Sequence, residues 1–134
     1  MGVDQDGSQS LSEFLAEEGA HLKFLRTRDR TPVVEITLPD PQEPPPTQIT
    51  CEVDGGTMSL ATRTNGFPFP ERGLIVSFRK EAVYICTDCG MPTPADALQR
   101  RLMGDTLQRV TRQLAAKGIE NRPPSPRSIR RALQ

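Results

Sequence analysis

The chain has 134 residues, with 17 acidic and 17 basic side chains, 35% hydrophobic residues and only 4% aromatics. This fits one domain with tails and a modest core, and a domain with so thin a core leans on a staple such as a metal, a disulfide or a partner chain. No stretch approaches the roughly 20 apolar residues of a membrane span, and three cysteines, an odd number, exclude a complete disulfide framework.

The neutral total conceals two unlike halves. Residues 1–60 carry eleven acids against four bases, a net of −7, and residues 61–134 carry thirteen bases against six acids, a net of +7. Beyond residue 99 the positive charge is almost all arginine, the better residue for bidentate phosphate contact. The first nine residues are acidic and polar, a flexible lead with no apolar signal region. Met1-Gly2 has the start of an acylation signal, but Asp6 stands where Ser or Thr is required. The chain therefore reads as soluble and cytoplasmic, in a reducing compartment.

Taken in order, Ser10 and Glu13 form a Ser-x-x-Glu capping box, which predicts a short helix over 11–18 with Gly19 as its stop. Strands are expected over 21–26 and 31–38. Pro39 to Pro46 carries five prolines and is expected as an extended linker, with a peptide-docking role as its functional alternative. Residues 47–63 read as a hairpin. With Asp54-Gly55 as a two-residue turn, Cys51 would face Met58 and Ile49 would face Leu60. Further strands are expected over 74–79 and 82–86, the second ending in Cys86-Thr87-Asp88-Cys89-Gly90. Thr93 as N-cap, Pro94 at the first position and Asp96 at the third predict a long helix to about Lys117, stopped by Gly118. Its apolar stripe is Leu98, Leu102, Met103, Leu107, Val110 and Leu114, with Arg101, Asp105 and Arg109 laddered on the other side. A terminal basic helix is expected over about 126–133.

The fold class that follows is α+β. A mainly antiparallel sheet of about five strands carries a short N-terminal helix and a long C-terminal amphipathic helix. Residues 1–9 form the acidic lead, 10–118 the domain and 119–134 the basic tail.

Cys86 and Cys89 are the leading candidates for chemistry. Their spacing lets two thiolates reach one tetrahedral metal, and Gly90 permits the bend that aims backbone amides at the sulfurs. A strand ending in Cys-x-x-Cys-Gly resembles one half of a zinc ribbon. The second half has an echo in Cys51-Glu52-Val53-Asp54-Gly55, with Asp54 where a fourth cysteine would stand. Cys51 is thus the expected third ligand of a zinc ion. For the fourth, Asp54 and His21, the sole histidine, compete, with a ligand from a second chain as a further option. The plain alternatives are Asp54 as a turn residue, His21 as an exposed strand residue and Cys51 as a small core residue.

A dithiol oxidoreductase using Cys86 and Cys89 is the weaker alternative, because the helix begins several residues after Cys89 rather than at the first cysteine. Hydrolysis has no support: there is one histidine, no Gly-x-Ser-x-Gly elbow and no Walker phosphate loop. Nucleic-acid binding is expected through Arg100, Arg101, Arg109, Arg112, Arg122, Arg127, Arg130 and Arg131, by salt-dependent phosphate attraction. No aromatic is interleaved among them, which argues against base stacking. The expectation is a non-enzymatic regulatory or accessory protein, zinc-stabilised and bound to RNA or DNA. Its rival is an adaptor whose long helix forms a homodimer or docks a protein partner. The proline- and arginine-rich, aromatic-poor composition suits a viral accessory protein.

Overall fold

The computed structural model describes residues 10–69, 73–116 and 126–133. The acidic lead 1–9, the expected stop at Gly118 and Arg122 lie outside these residues. The elements are helix α1 (Leu11–Glu17), strands β1 (His21–Arg26), β2 (Pro32–Thr37), β3 (Gln48–Thr50), β4 (Thr57–Phe69), β5 (Leu74–Cys86) and β6 (Pro92–Pro94), then helices α2 (Ala97–Ala116) and α3 (Pro126–Leu133). The fold is α+β.

The capping box forms as the sequence predicts. Glu13 N–H donates to Ser10 Oγ at 3.2 Å and Ser10 N–H donates to Glu13 Oε1 at 3.1 Å. Gly19, at φ +81°, then turns the chain out of α1 in a conformation that an L side chain resists. Seven residues make too short a helix to stand alone. Leu11 and Leu15, both fully buried, dock it.

The sheet runs β1-β2-β5-β4-β3, with β6 added on β5. All pairings are antiparallel except β2 with β5, where Val33 lies beside Ile75 and Thr37 beside Arg79. Strand β5 is the spine. Along one edge it pairs first with β2 and then with β6; along the other it pairs with β4 over its whole length. The β4–β5 register shifts between Arg63 and Asn65, and Lys80 takes φ +65° beside that point. Glu81 is buried there. It accepts from Arg63 Nε at 2.8 Å and from Asn65 Nδ2 at 3.1 Å, which closes the irregularity with a charge-assisted pair.

This break divides the molecule into two cores. The larger holds Val34, Ile36, Leu74, Val76 and Phe78 of the sheet against Leu11 and Leu15 of α1, Leu102, Val110 and Leu114 of α2, and Ile129 and Leu133 of α3. Each such fully buried aliphatic contributes roughly 1.5–3 kcal/mol. The smaller, at the other end of the β4–β5 ribbon, holds Cys51, Met58, Tyr84 and Cys86. Tyr84 Oη donates to the Pro46 carbonyl at 2.7 Å, which fastens the end of the proline segment to it.

Several expectations are corrected. The two strands expected over 74–79 and 82–86 are one continuous strand, β5, because the ladder with β4 continues on both sides of Lys80. The hairpin pairs Ile49 with Met58 and Thr50 with Thr57, so six residues, Cys51 to Gly56, form the loop and Cys51 does not face Met58. The N-cap of α2 is Asp96, whose Oδ2 accepts the Gln99 N–H at 3.0 Å, because Thr93 is paired with Tyr84 in β6. The helix stripe is also rotated: Leu98 is 54% exposed, while Gln99, Thr106 and Arg109 are buried. The Arg101–Asp105–Arg109 ladder does not form. Arg109 lies 4.0 Å over the Phe14 ring, and Arg101 and Asp105 make no ion pair among the described residues.

Candidate metal centre

Two loops meet at the small core. The first runs from Cys51 to Gly56, between β3 and β4. The second runs from Cys86 to Met91, between β5 and β6. They are built alike, bond for bond. In the first, Cys51 N–H donates to Gly56 O at 2.7 Å and Gly55 N–H to Cys51 O at 2.9 Å; in the second, Cys86 N–H donates to Met91 O at 3.3 Å and Gly90 N–H to Cys86 O at 2.9 Å. Gly55 and Gly90 take φ +74° and +70° at matching positions. In the first loop the Asp54 carboxylate accepts the Gly56 N–H at 2.9 Å; in the second the Cys89 sulfur accepts from the Met91 backbone. Asp54 thus occupies the place in its loop that Cys89 occupies in the other.

The loops are also tied to each other. Thr87 N–H donates to Thr57 O at 3.1 Å, and its hydroxyl reaches the same oxygen at 3.3 Å. Met58 lies opposite Cys86 in the ladder. The result brings one ligand atom from each of Cys51, Asp54, Cys86 and Cys89 within 4.8 Å of one another. Cys86 Sγ stands 3.5 Å from both Asp54 oxygens. A tetrahedral zinc with Zn–S of about 2.3 Å and Zn–O of about 2.1 Å needs an S···O edge of about 3.6 Å. The donor set therefore fits a tetrahedral ion in kind, in number and in this edge. Cys51 and Cys86 are buried, Cys89 and Asp54 are exposed, and all three cysteines are free thiols.

The electrostatics show what a cation would relieve. The Gly56 N–H first, then the Cys51, Cys86 and Cys89 thiols, hold the Asp54 carboxyl below its usual range. For Cys89 the Met91 N–H pulls the thiol down, but the Cys86 thiol beside it, partial burial and Cys51 outweigh that and push it up to about 11. A second thiolate cannot form cheaply next to the first and a carboxylate. A divalent ion inverts that balance, since coordination deprotonates thiols outright.

Of the five predicted metal residues, four converge. His21 does not: it is an exposed residue of β1, opposite Thr37, at the edge of the sheet away from β3. Gly56 and Met91, whose backbone groups close the two loops, were not singled out. Extending the cysteine echo by one residue would have found them. Gly56 has a steric reason as well, since a Cβ there would come 2.4 Å from Asp88 Oδ2 and 3.1 Å from Asp54 Oδ1. As to the dithiol alternative, strand β6 intervenes between Cys89 and α2, so the chain does not pass from the second cysteine into a helix.

The predicted arginine set is divided. Arg100, Arg101 and Arg112 are exposed on α2, and Arg127, Arg130 and Arg131 are exposed on α3. Arg130 also lies 5.5 Å over the Phe24 ring. Arg109 is 8% exposed and is not available to a surface ligand. Among the described residues no helix is long and apolar enough to cross a membrane.

The chain matches no known protein family, and comparison with curated proteins and with solved structures likewise finds no match.

Proposed function

We propose that the protein is a small, non-enzymatic accessory or regulatory protein of a reducing, cytoplasmic compartment, stabilised by zinc and binding nucleic acid through arginines of α2 and α3. The observation that carries the zinc assignment is the pair of matched loops that bring Cys51, Asp54, Cys86 and Cys89 within 4.8 Å of one another. Two of the donors are buried beside the small core and all four belong to loops that cap strand ends, which suits a structural site better than a catalytic one. Zinc would supply a cross-link, not a reaction. It would join the β3–β4 turn to the end of β5, where the small core alone has few side chains to bury.

Support for the nucleic-acid partner comes from six exposed arginines on two neighbouring helices. None of Arg100, Arg101, Arg112, Arg127, Arg130 and Arg131 forms an ion pair among the described residues. Unpaired guanidinium groups displace counterions from phosphates.

The zinc test is metal analysis with thiol titration of protein purified without chelator. One zinc per chain and thiols that react only after chelation are expected; three freely reactive thiols and no metal refute it. The second test is a gel shift on RNA and DNA at two salt concentrations. Binding that weakens steeply with salt, and that is weaker and less salt-dependent in an Arg127→Ala, Arg130→Ala, Arg131→Ala variant, is expected. Absence of binding at low salt refutes the nucleic-acid assignment and leaves the zinc assignment standing.

A further inference from the structure

On the opposite side of the sheet break from the metal centre, a cleft of about 300 Å³ opens between α1, the Pro39–Gln42 segment and the first two turns of α2. Its apolar part is made by Phe14, Leu98 and Leu102; its carboxylates are Glu18, Asp40, Asp96 and Asp105, with Arg101 as the one cation among the described lining residues. Asp96 is occupied in capping α2. Glu18, Asp40 and Asp105 form no ion pair among the described residues. Three carboxylates without an ion pair among the described residues therefore line an apolar surface, two of them, Glu18 and Asp40, from the acidic half of the chain.

Two features separate this cleft from an incidental dent. First, its wall is held in place. Gln99, 2% exposed, donates from Nε2 to the Pro39 carbonyl at 2.8 Å, which fixes the segment that carries Asp40. Second, Leu98 stands at its mouth 54% exposed, although the helix has a fully buried face one position away. A large aliphatic left in water beside unpaired carboxylates is a combination that neither the core nor the metal site uses.

The geometry points to a docking site for a basic segment of a partner protein, one arginine or lysine entering among Glu18, Asp40 and Asp105 while an adjacent apolar residue covers Leu98. The volume sits at the lower limit for ligand pockets and suits one or two side chains rather than a cofactor. Charge complementarity selects the cation and Leu98 selects the apolar neighbour. A second copy of this chain is a poorer occupant. Its α3 arginines are exposed, but the apolar residues beside them, Ile129 and Leu133, are buried in its own core.

The test is fluorescence anisotropy with the full-length protein and short labelled peptides in which arginine, glutamine or glutamate stands between two leucines. Binding of the arginine peptide is expected, at least tenfold tighter than the glutamine peptide, with no binding of the glutamate peptide. The Asp40→Asn, Asp105→Asn variant is expected to weaken the arginine peptide about tenfold, which is 1.4 kcal/mol. Leu98→Ser should weaken arginine and glutamine peptides alike. All three positions are exposed, so circular dichroism melts should match the parent and keep loss of binding distinct from loss of fold. Equal binding of the three peptides, binding to none of them, or variants that bind as the parent does would overturn the proposal. So would light scattering that shows a dimer abolished by Leu98→Ser, since a second copy would then be the occupant.

Discussion

Gln99 Oε1 accepts the N–H of Ala82 at 2.8 Å, at the point where β5 exchanges β2 for β6 as its neighbour. Just before this point the Leu38 N–H bonds Arg79 O, and just after it the Ala95 N–H bonds Ala82 O. Between them, Gln99 Nε2 reaches Lys80 O at 3.3 Å. One side chain thus stands in for a missing strand, and it joins α2 to both halves of the spine. Gln99→Leu keeps the volume and strands a buried donor and its acceptors, so a loss of about 1–3 kcal/mol is expected. Urea denaturation should show a lower midpoint with an unchanged slope.

Glu81 lies at the same break on the β4 side, 4% exposed and paired to Arg63. Arg63→Met removes the cation and leaves a buried carboxylate held, among the described residues, by Asn65, at a cost of about 2–3 kcal/mol. Most of that cost belongs to the orphaned charge, not to the lost bond. Adding Glu81→Gln should therefore recover a good part of it in the same denaturation experiment. A double variant no more stable than Arg63→Met would show that packing of the arginine stem, not the charge, is what the site requires.

The place of Asp54 in its loop predicts the behaviour of its replacements. Asp54→Cys completes a four-cysteine set on an unchanged backbone, because Gly56 N–H can serve a sulfur as Met91 N–H serves Cys89. Zinc affinity measured against a competing chelator should rise about tenfold or more, as a soft thiolate replaces a carboxylate. Asp54→Ala should weaken it by a similar factor, whereas Cys86→Ser should abolish binding because its sulfur is central to the small core. Cobalt absorption in the visible range should report a tetrahedral ion in the parent and in Asp54→Cys.

Metal-free protein should also carry the signature of its crowded thiols. Cys89 titrates near pH 11 in the folded chain, above its ordinary value of 9.0. The folded state therefore holds a proton that the unfolded state has lost between these values, and stability falls as pH rises through that interval. Below pH 9 both states are protonated there and the contribution is constant. Ultraviolet absorbance of thiolate should reveal this late titration, and Cys89→Ser should remove it. Added zinc should release protons near neutral pH and abolish the late step.

Much of this arrangement was legible from residues alone, and the failures share a cause. The Ser10–Glu13 box needs only four residues to close, so it reads correctly. The cysteine echo reads correctly because each loop encodes its own bend in a cysteine and a glycine at fixed spacing. Asp54-Gly55 misleads because the same dipeptide serves a two-residue hairpin and a longer closed loop; contacts with Cys86 and Cys89, more than 30 residues away, decide between them. Thr93-Pro94 is a sound helix start locally, but pairing with Tyr84 claims it as a strand and passes the cap to Asp96. The phase of the α2 stripe failed for a similar reason. Periodicity gives a face, and only the docked position of α1 reveals that Phe14 awaits Arg109 there.

Arg109 and the α3 arginines should consequently behave as different kinds of residue. Arg109 is buried with its guanidinium 4.0 Å above Phe14, where a desolvated cation–π contact is worth about 2 kcal/mol and the side-chain stem adds packing. Arg109→Ala is expected to lower stability by about 2–3 kcal/mol and, once folded, to leave the salt dependence of nucleic-acid binding as it was. Replacing Arg127, Arg130 and Arg131 by alanine should do the reverse. Melting would shift little, since exposed charges contribute little to stability. The slope of log affinity against log salt would fall by roughly one for each phosphate that is no longer neutralised. A calorimetric melt and a salt titration on the same two proteins test both halves. If Arg109→Ala flattened the salt slope without lowering the melting temperature, the division of the arginines by burial would be overturned.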